Sequence, residues 1–250
     1  NYQAIEGSLT EVDVPLNLDA DTEFTVLGAT DPATIDPEVD LDTLDLALGL
    51  IRADGSLVDV ARDLGGSYDA TTSDLKFTLP ALTGELLDNQ WLALLSGTKT
   101  TAGVTSSHAS LIAMSGPSTS GFTIPELPTL TAPAVGASVS AEGFTTSFTL
   151  PAGAIGGVVE LRSPGIDELL WQVLVRPETT GFTFVKLPVQ AETPLQPGRN
   201  YTLTITAWFG FVDIESPNVF GDFAAYAQTI GIIEAGVTQI SRRSISITTQ

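Results

Sequence analysis

Apolar and polar residues alternate with a period of two along much of this chain, most strictly from Tyr201 to Trp208. There Tyr201, Leu203, Ile205 and Ala207 fall on one face of an extended segment, with Thr202, Thr204, Thr206 and Trp208 on the other, the pattern of a strand. Leu44 to Leu50, Leu75 to Leu79, and Ile245 with Ile247 repeat it. Turn signals such as Asp54-Gly55, Asp88-Asn89 and Pro197-Gly198 stand between these stretches. The pattern predicts first-half strands beginning at Phe24 and covering 44–52, 57–62, 75–79, 90–96 and 110–114. In the second half it predicts strands over 144–150, 157–162, 169–176, 182–187, 201–209 and 243–248. Val12 to Leu18 also alternates, but Pro15 confines it to a sheet edge. Ser115 to Pro133, with prolines at 117, 125, 128 and 133, reads as a semi-rigid linker merging into an irregular strand.

The chain also repeats itself. Thr71-Thr72, Leu79-Pro80 and Leu87 recur 108 residues later as Thr179-Thr180, Leu187-Pro188 and Leu195. An aliphatic hairpin precedes each set, around Leu50 to Arg62 and around Glu160 to Arg176. This predicts two domains, residues 1–120 and 121–250. In the second, Leu195 and Pro197 lead into Tyr201, which resembles the tyrosine corner of β-sandwich domains, with a spacing similar to that of the fibronectin type III family. The resemblance implies an all-β fold of two tandem immunoglobulin-like (fibronectin type III-like) β-sandwich domains, and a phenol hydroxyl bonded to upstream backbone. The first copy has Trp91 near the equivalent place; an indole N–H donates but cannot accept, so a true corner is not expected there. A second departure is the long stretch from Gly210 to Gln239, where the family has a short loop. Its apolar residues fit either one face of a short helix or an extra hairpin.

Composition narrows the functional classes. The 250 residues suffice for two cores, and no apolar run nears the roughly 20 residues of a membrane span. Net charge is −20, with twelve carboxylates and no Lys or Arg in residues 1–51. Such a field repels phosphate backbones and anionic lipid, so nucleic-acid and membrane-surface roles are disfavoured. The absence of cysteine removes disulfides, thiolate metal sites and cysteine nucleophiles. With the sandwich signature and a start at Asn1 rather than Met, the expectation is an extracellular or cell-envelope protein whose leader has been removed. Its expected partners are other envelope or surface proteins, or glycans.

Four groups of residues invite chemistry. Trp208, Phe209, Phe211, Phe220, Phe223 and Tyr226 concentrate six aromatics within nineteen residues; they suit anchoring a protein or stacking on a sugar ring, or equally a satellite core. Asp36, Asp40, Asp42 and Asp45, with Glu38, offer oxygens to calcium, although the spacing fails the EF-hand and also fits a solvated face; no other cofactor is expected. His108, the sole histidine, sits in a Ser-Ser-His run that reads as a surface loop, without a nucleophile elbow. Asn200-Tyr201-Thr202 matches the glycosylation triplet at a strand entry. Together these predict a non-enzymatic module that spaces or docks other components, with a glycan-binding accessory module as the alternative. The edges Val12 to Leu18 and Ser244 to Thr248 are expected to be open to strand pairing with a partner.

Overall fold

A computed structural model describes residues 2–5, 8–11, 17–27, 44–51, 57–69, 71–72, 74–81, 90–114, 118–120, 125–163, 168–185, 195–210 and 237–250. Every element among them is a strand. The first half contains β1 (Tyr2–Ile5), β2 (Ser8–Glu11), β3 (Asn17–Leu27), β4 (Leu44–Ile51), β5 (Leu57–Asp69), β6 (Asp74–Ala81), β7 (Gln90–Thr101), β8 (Val104–Met114) and β9 (Ser118–Ser120). The second contains β10 (Thr129–Ala132), β11 (Ser138–Val139), β12 (Gly143–Thr149), β13 (Gly156–Ser163), β14 (Glu168–Val175), β15 (Gly181–Val185), β16 (Asn200–Gly210) and β17 (Val237–Thr249). The protein is all-β, as the period-two pattern predicts. In the second half the strand limits agree with that pattern within about two residues, except that β17 starts six residues earlier, at Val237 rather than Arg243.

The second half is a two-layer sandwich. A three-stranded sheet in the order β10-β12-β15 faces the run β14-β13-β16-β17. On β12 the alternation is explicit, with Phe144, Thr146 and Phe148 buried between the exposed Thr145 and Thr149. Phe144 and Phe148 meet Val159, Leu161, Phe184, Tyr201, Leu203, Ile205, Ile245 and Ile247 in one core. Phe184 is at its centre, stacked on Phe144 at 4.6 Å, tilted on Phe182 at 4.5 Å and edge-on to Trp171 at 5.9 Å. Three strands on one side and four on the other, in this order, make the half a fibronectin type III-like sandwich.

The first half repeats the larger sheet. β5-β4-β7-β8 carries the order that β14-β13-β16-β17 carries, and β6 pairs β3 as β15 pairs β12. Gly66 on β5 lies opposite Phe77, whose ring occupies the space where a Cβ would stand, so the aromatic covers a residue that has no side chain of its own. The Asp69 carboxylate beyond it accepts the Thr71 N–H at 2.9 Å and meets the Lys76 ammonium at 3.3 Å; these two contacts hold its pKa below the ordinary carboxylate value.

The two large sheets are joined. β8 and β17, equivalent strands of the two halves, pair antiparallel with each other from Val104↔Ile245 to Ser110↔Gln239. One hydrogen-bonded sheet therefore runs β14-β13-β16-β17-β8-β7-β4-β5, a palindrome of strand roles. The far end of β17 pairs β11 in parallel through Ser138↔Thr248 and Val139↔Thr249. Ser244 to Thr248 is thus interior to a sheet rather than an edge, which corrects the expectation of strand addition there. The linker reading is also modified. Residues 118–120 form β9 along β3, while Pro125 and Pro128 are buried and the Glu126 carbonyl accepts the Ser241 hydroxyl at 2.6 Å.

The hairpin between β7 and β8 turns at Ala102 (φ 50°) and Gly103 (φ 81°), both in the left-handed region. Ala102 bears a Cβ where glycine or asparagine is favoured. Ala102→Gly should therefore raise stability by about 0.5–1 kcal/mol in urea denaturation.

Candidate functional site

The tyrosine corner is formed. The backbone turns at Pro197 and Gly198 (φ 74°), and β16 opens with Tyr201, whose phenol oxygen accepts the Gln196 N–H at 2.8 Å. Tyr201 is 4 % exposed and its ring belongs to the core, with Leu195 packed against the same cluster. A second residue completes the corner. Thr249 at the end of β17 is 2 % exposed; its hydroxyl donates to the Gln196 carbonyl, lies 3.1 Å from the Arg199 carbonyl and accepts the Arg199 N–H at 3.2 Å. Thr248 donates to the Asn200 carboxamide at 2.7 Å, so the asparagine of the glycosylation triplet is bonded within the fold. Sequence reasoning found Tyr201, Pro197 and Leu195 but missed Thr249, because a threonine near a strand end carries no signal until β17 is placed beside the corner.

Removing these groups should have graded effects. Tyr201→Phe deletes the acceptor of one hydrogen bond whose donor is near solvent, costing about 1 kcal/mol. Thr249→Val keeps the shape but removes a 2 % exposed hydroxyl that serves the Gln196 carbonyl and the Arg199 N–H together, costing about 2 kcal/mol. Chemical denaturation of the two variants checks both values, and Thr249→Val should be the more damaging.

The outer face of the same sheet is unusually dry. Thr204, Thr206, Trp208, Val158 and Glu160 are each at most 6 % exposed. Trp208 and Val158 form a small cluster with half-buried Ile155, Leu174 and Ile240. Glu160 accepts from the Arg162 guanidinium and the Gln172 carboxamide, both at 3.1 Å. Thr204 and Ser244 share a hydrogen bond of 2.9 Å, and Arg242 Nε donates to Thr206 at 3.2 Å. The carboxylate is thereby neutralised and the hydroxyls are engaged across strands, which is how a polar face tolerates burial.

The structure places the aromatic candidates unevenly. At 3 % exposure the Trp208 indole has no face to offer a sugar ring, which corrects its proposed role as a stacking platform. Phe209 is half-buried against the sandwich core. Phe211, Phe220, Phe223 and Tyr226 lie outside the described residues, as does most of the stretch between β16 and β17. Of the calcium candidates, Asp36, Asp40 and Asp42 lie outside them too, and Asp45 sits on β4 opposite Gly65 and Ser96. Among the described residues, no three acidic or histidine side chains gather as metal ligands would. Trp91 is on β7, opposite Leu50 and Met114.

His108 is relocated. The Ser-Ser-His run belongs to β8, not to a loop, and His108 is 5 % exposed between Gly97 of β7 and Ser241 of β17. Ser106 and Ser110 flank it, each 2 % exposed. The run looks like a loop because its residues are small and polar. It is a strand because β7 and β17 pair with it on either side, and its alternate residues Ser106, His108 and Ser110 share one buried face.

No family model and no curated protein matches the chain. Among solved structures, it is similar to a two-domain fibronectin type III segment from chicken tenascin at 16 % identity, covering 69 % of this chain and 79 % of that one with a TM-score of 0.25. It is also similar to a chain of a cytokine receptor complex at 15 % identity, covering 75 % and 84 % with a TM-score of 0.23. The class to which the second half is assigned rests on its own strand order and corner. No helix among the described residues is long and apolar enough to cross a membrane.

Proposed function

We propose that this chain is a non-catalytic structural and docking module of the cell surface or envelope, which holds other proteins at a set distance. The observation that supports the reading most directly is the pairing of β8 with β17. A flexible tandem moves its two domains independently, and a spacer is more useful when it does not. Here an antiparallel ladder fixes one half against the other. Several polar side chains of the second sandwich are engaged in this architecture: Glu160 with Arg162 and Gln172, Thr204 with Ser244, and Thr249 with the corner. The strong negative charge favours partners with basic surfaces and keeps the module off anionic lipid.

Chemical cross-linking in intact cells, followed by fractionation and peptide identification, tests the proposal. The expected result is recovery in the envelope or medium, linked to other surface proteins. Recovery in the cytosol without cross-linked partners would overturn it.

A further inference from the structure

Among the described strands, the second sandwich keeps one long edge open. β14 lies at the end of its sheet and pairs only with β13. In its counterpart in the first half, β5, the last residues Gly66 to Asp69 go on to pair with β6, whereas no described residue of β14 pairs with a strand other than β13. The open edge is also chemically unprotected. From Leu169 to Val175 it reads LLWQVLV, with no charge and no proline, in a chain of net charge −20. Natural sheets protect edges of that length with lysine, proline or strong twisting, because an uncovered apolar edge templates another strand. Among the described residues, two of the three exposed large hydrophobics lie on this side of the sandwich: Leu169 on β14 (40 %) and Val185 on the neighbouring edge strand β15 (56 %). Half-buried Trp171 bridges β14 and β15 through its edge-on contact with Phe184.

We propose that β14 is a self-association edge, and that its occupant is β14 of a second copy, antiparallel about a two-fold axis through Gln172. The side chains specify that occupant. An antiparallel pair must match residues of like face. Centring on Gln172 sets Trp171 opposite the second copy's Val173 on the core face. The bulge that brings Leu169, rather than Leu170, opposite Arg162 then sets Leu169 against the second copy's Leu174 on the outer face. Leu169, Trp171, Val173 and Leu174 each meet an apolar residue, Gln172 meets itself, and Glu168 falls opposite the second copy's Val175, next to its Arg176. The strip from Leu169 to Val175 carries no charge, and the residues that bound it, Glu168 and Arg176, are of opposite sign, so an antiparallel second copy brings unlike rather than like charges together. The chain already closes one edge in this manner, since β8 and β17 are equivalent strands paired antiparallel. This inference goes beyond the spacer reading and stands whether or not the protein is exported.

Three measurements test it on the full chain. Sedimentation of the wild-type protein over a dilution series should show a reversible monomer–dimer equilibrium. Gln172→Lys should shift it towards monomer by roughly tenfold or more, because two ammonium groups then face each other across the axis. Gln172 is exposed and a lysine keeps a donor for Glu160, so the fold should survive with an unchanged melting transition. The chain has no cysteine, so Gln172→Cys introduces a unique thiol. The two-fold brings the Cα atoms within the roughly 4.4–6.8 Å that a disulfide accepts, so mild oxidation should give a covalent dimer. Thr183→Cys, exposed on β15 away from the axis, should not link at that rate. Should Gln172→Lys fail to fold, the cysteine pair decides alone. A wild-type monomer at every concentration, an unshifted equilibrium in a folded Gln172→Lys, or equal linking of the two cysteine variants would each overturn the proposal.

Discussion

Ile245→Pro should abolish the cooperative folding of the second sandwich and loosen the first half with it. Ile245 is 3 % exposed on β17, paired with Leu203 of β16 on one side and Val104 of β8 on the other. Proline removes a ladder N–H from a strand that has neighbours on both sides and takes an aliphatic side chain from the core. The combined cost is about 5 kcal/mol or more, as large as the whole stability of many domains. Urea titration followed by far-ultraviolet circular dichroism measures the loss. The informative part is the remainder of the signal. If the β8–β17 ladder couples the halves, the first half should unfold at lower urea than in the wild type, whereas an unshifted first-half transition would show that the ladder carries no coupling.

Phe184→Ala is the second large effect, expected to cost about 3–5 kcal/mol. Phe184 is fully buried and touches Phe144, Phe182 and Trp171, so its removal leaves a cavity among three rings that cannot all collapse into it. Differential scanning calorimetry should show a clear fall in melting temperature, and Phe184→Leu should recover part of it. Because Trp171 loses its edge-on partner, its fluorescence should change in the alanine variant before unfolding begins.

The sequence was most readable where one strand face is buried and the other is wet. Phe144 to Thr149 and the Tyr201 corner are such places, since each apolar residue there has one position it can occupy. It misled where polar residues are buried. Ser106, His108 and Ser110 carry no apolar signal, and their strand character comes from β17, a partner more than a hundred residues away. For the same reason the alternating pattern begins six residues after the start of β17, because Gln239, Ser241 and Arg242 look like loop residues until β16 and β8 flank them. The dryness of Trp208 was equally hidden. Alternation assigns it to the outer face, but whether that face is wet depends on packing around Val158, Ile155, Leu174 and Ile240. Of the proposed aromatic site only Trp208 and Phe209 can be placed, and both serve the interior.

The pairing of β8 with β17 has a consequence for how the halves stay together. Two separate proteins joined by seven residue pairs would come apart on dilution. Within one polypeptide the local concentration of one strand around the other is about millimolar, whatever the concentration of the protein. A single backbone cut between the halves would remove that advantage and leave an ordinary bimolecular complex with a measurable dissociation rate.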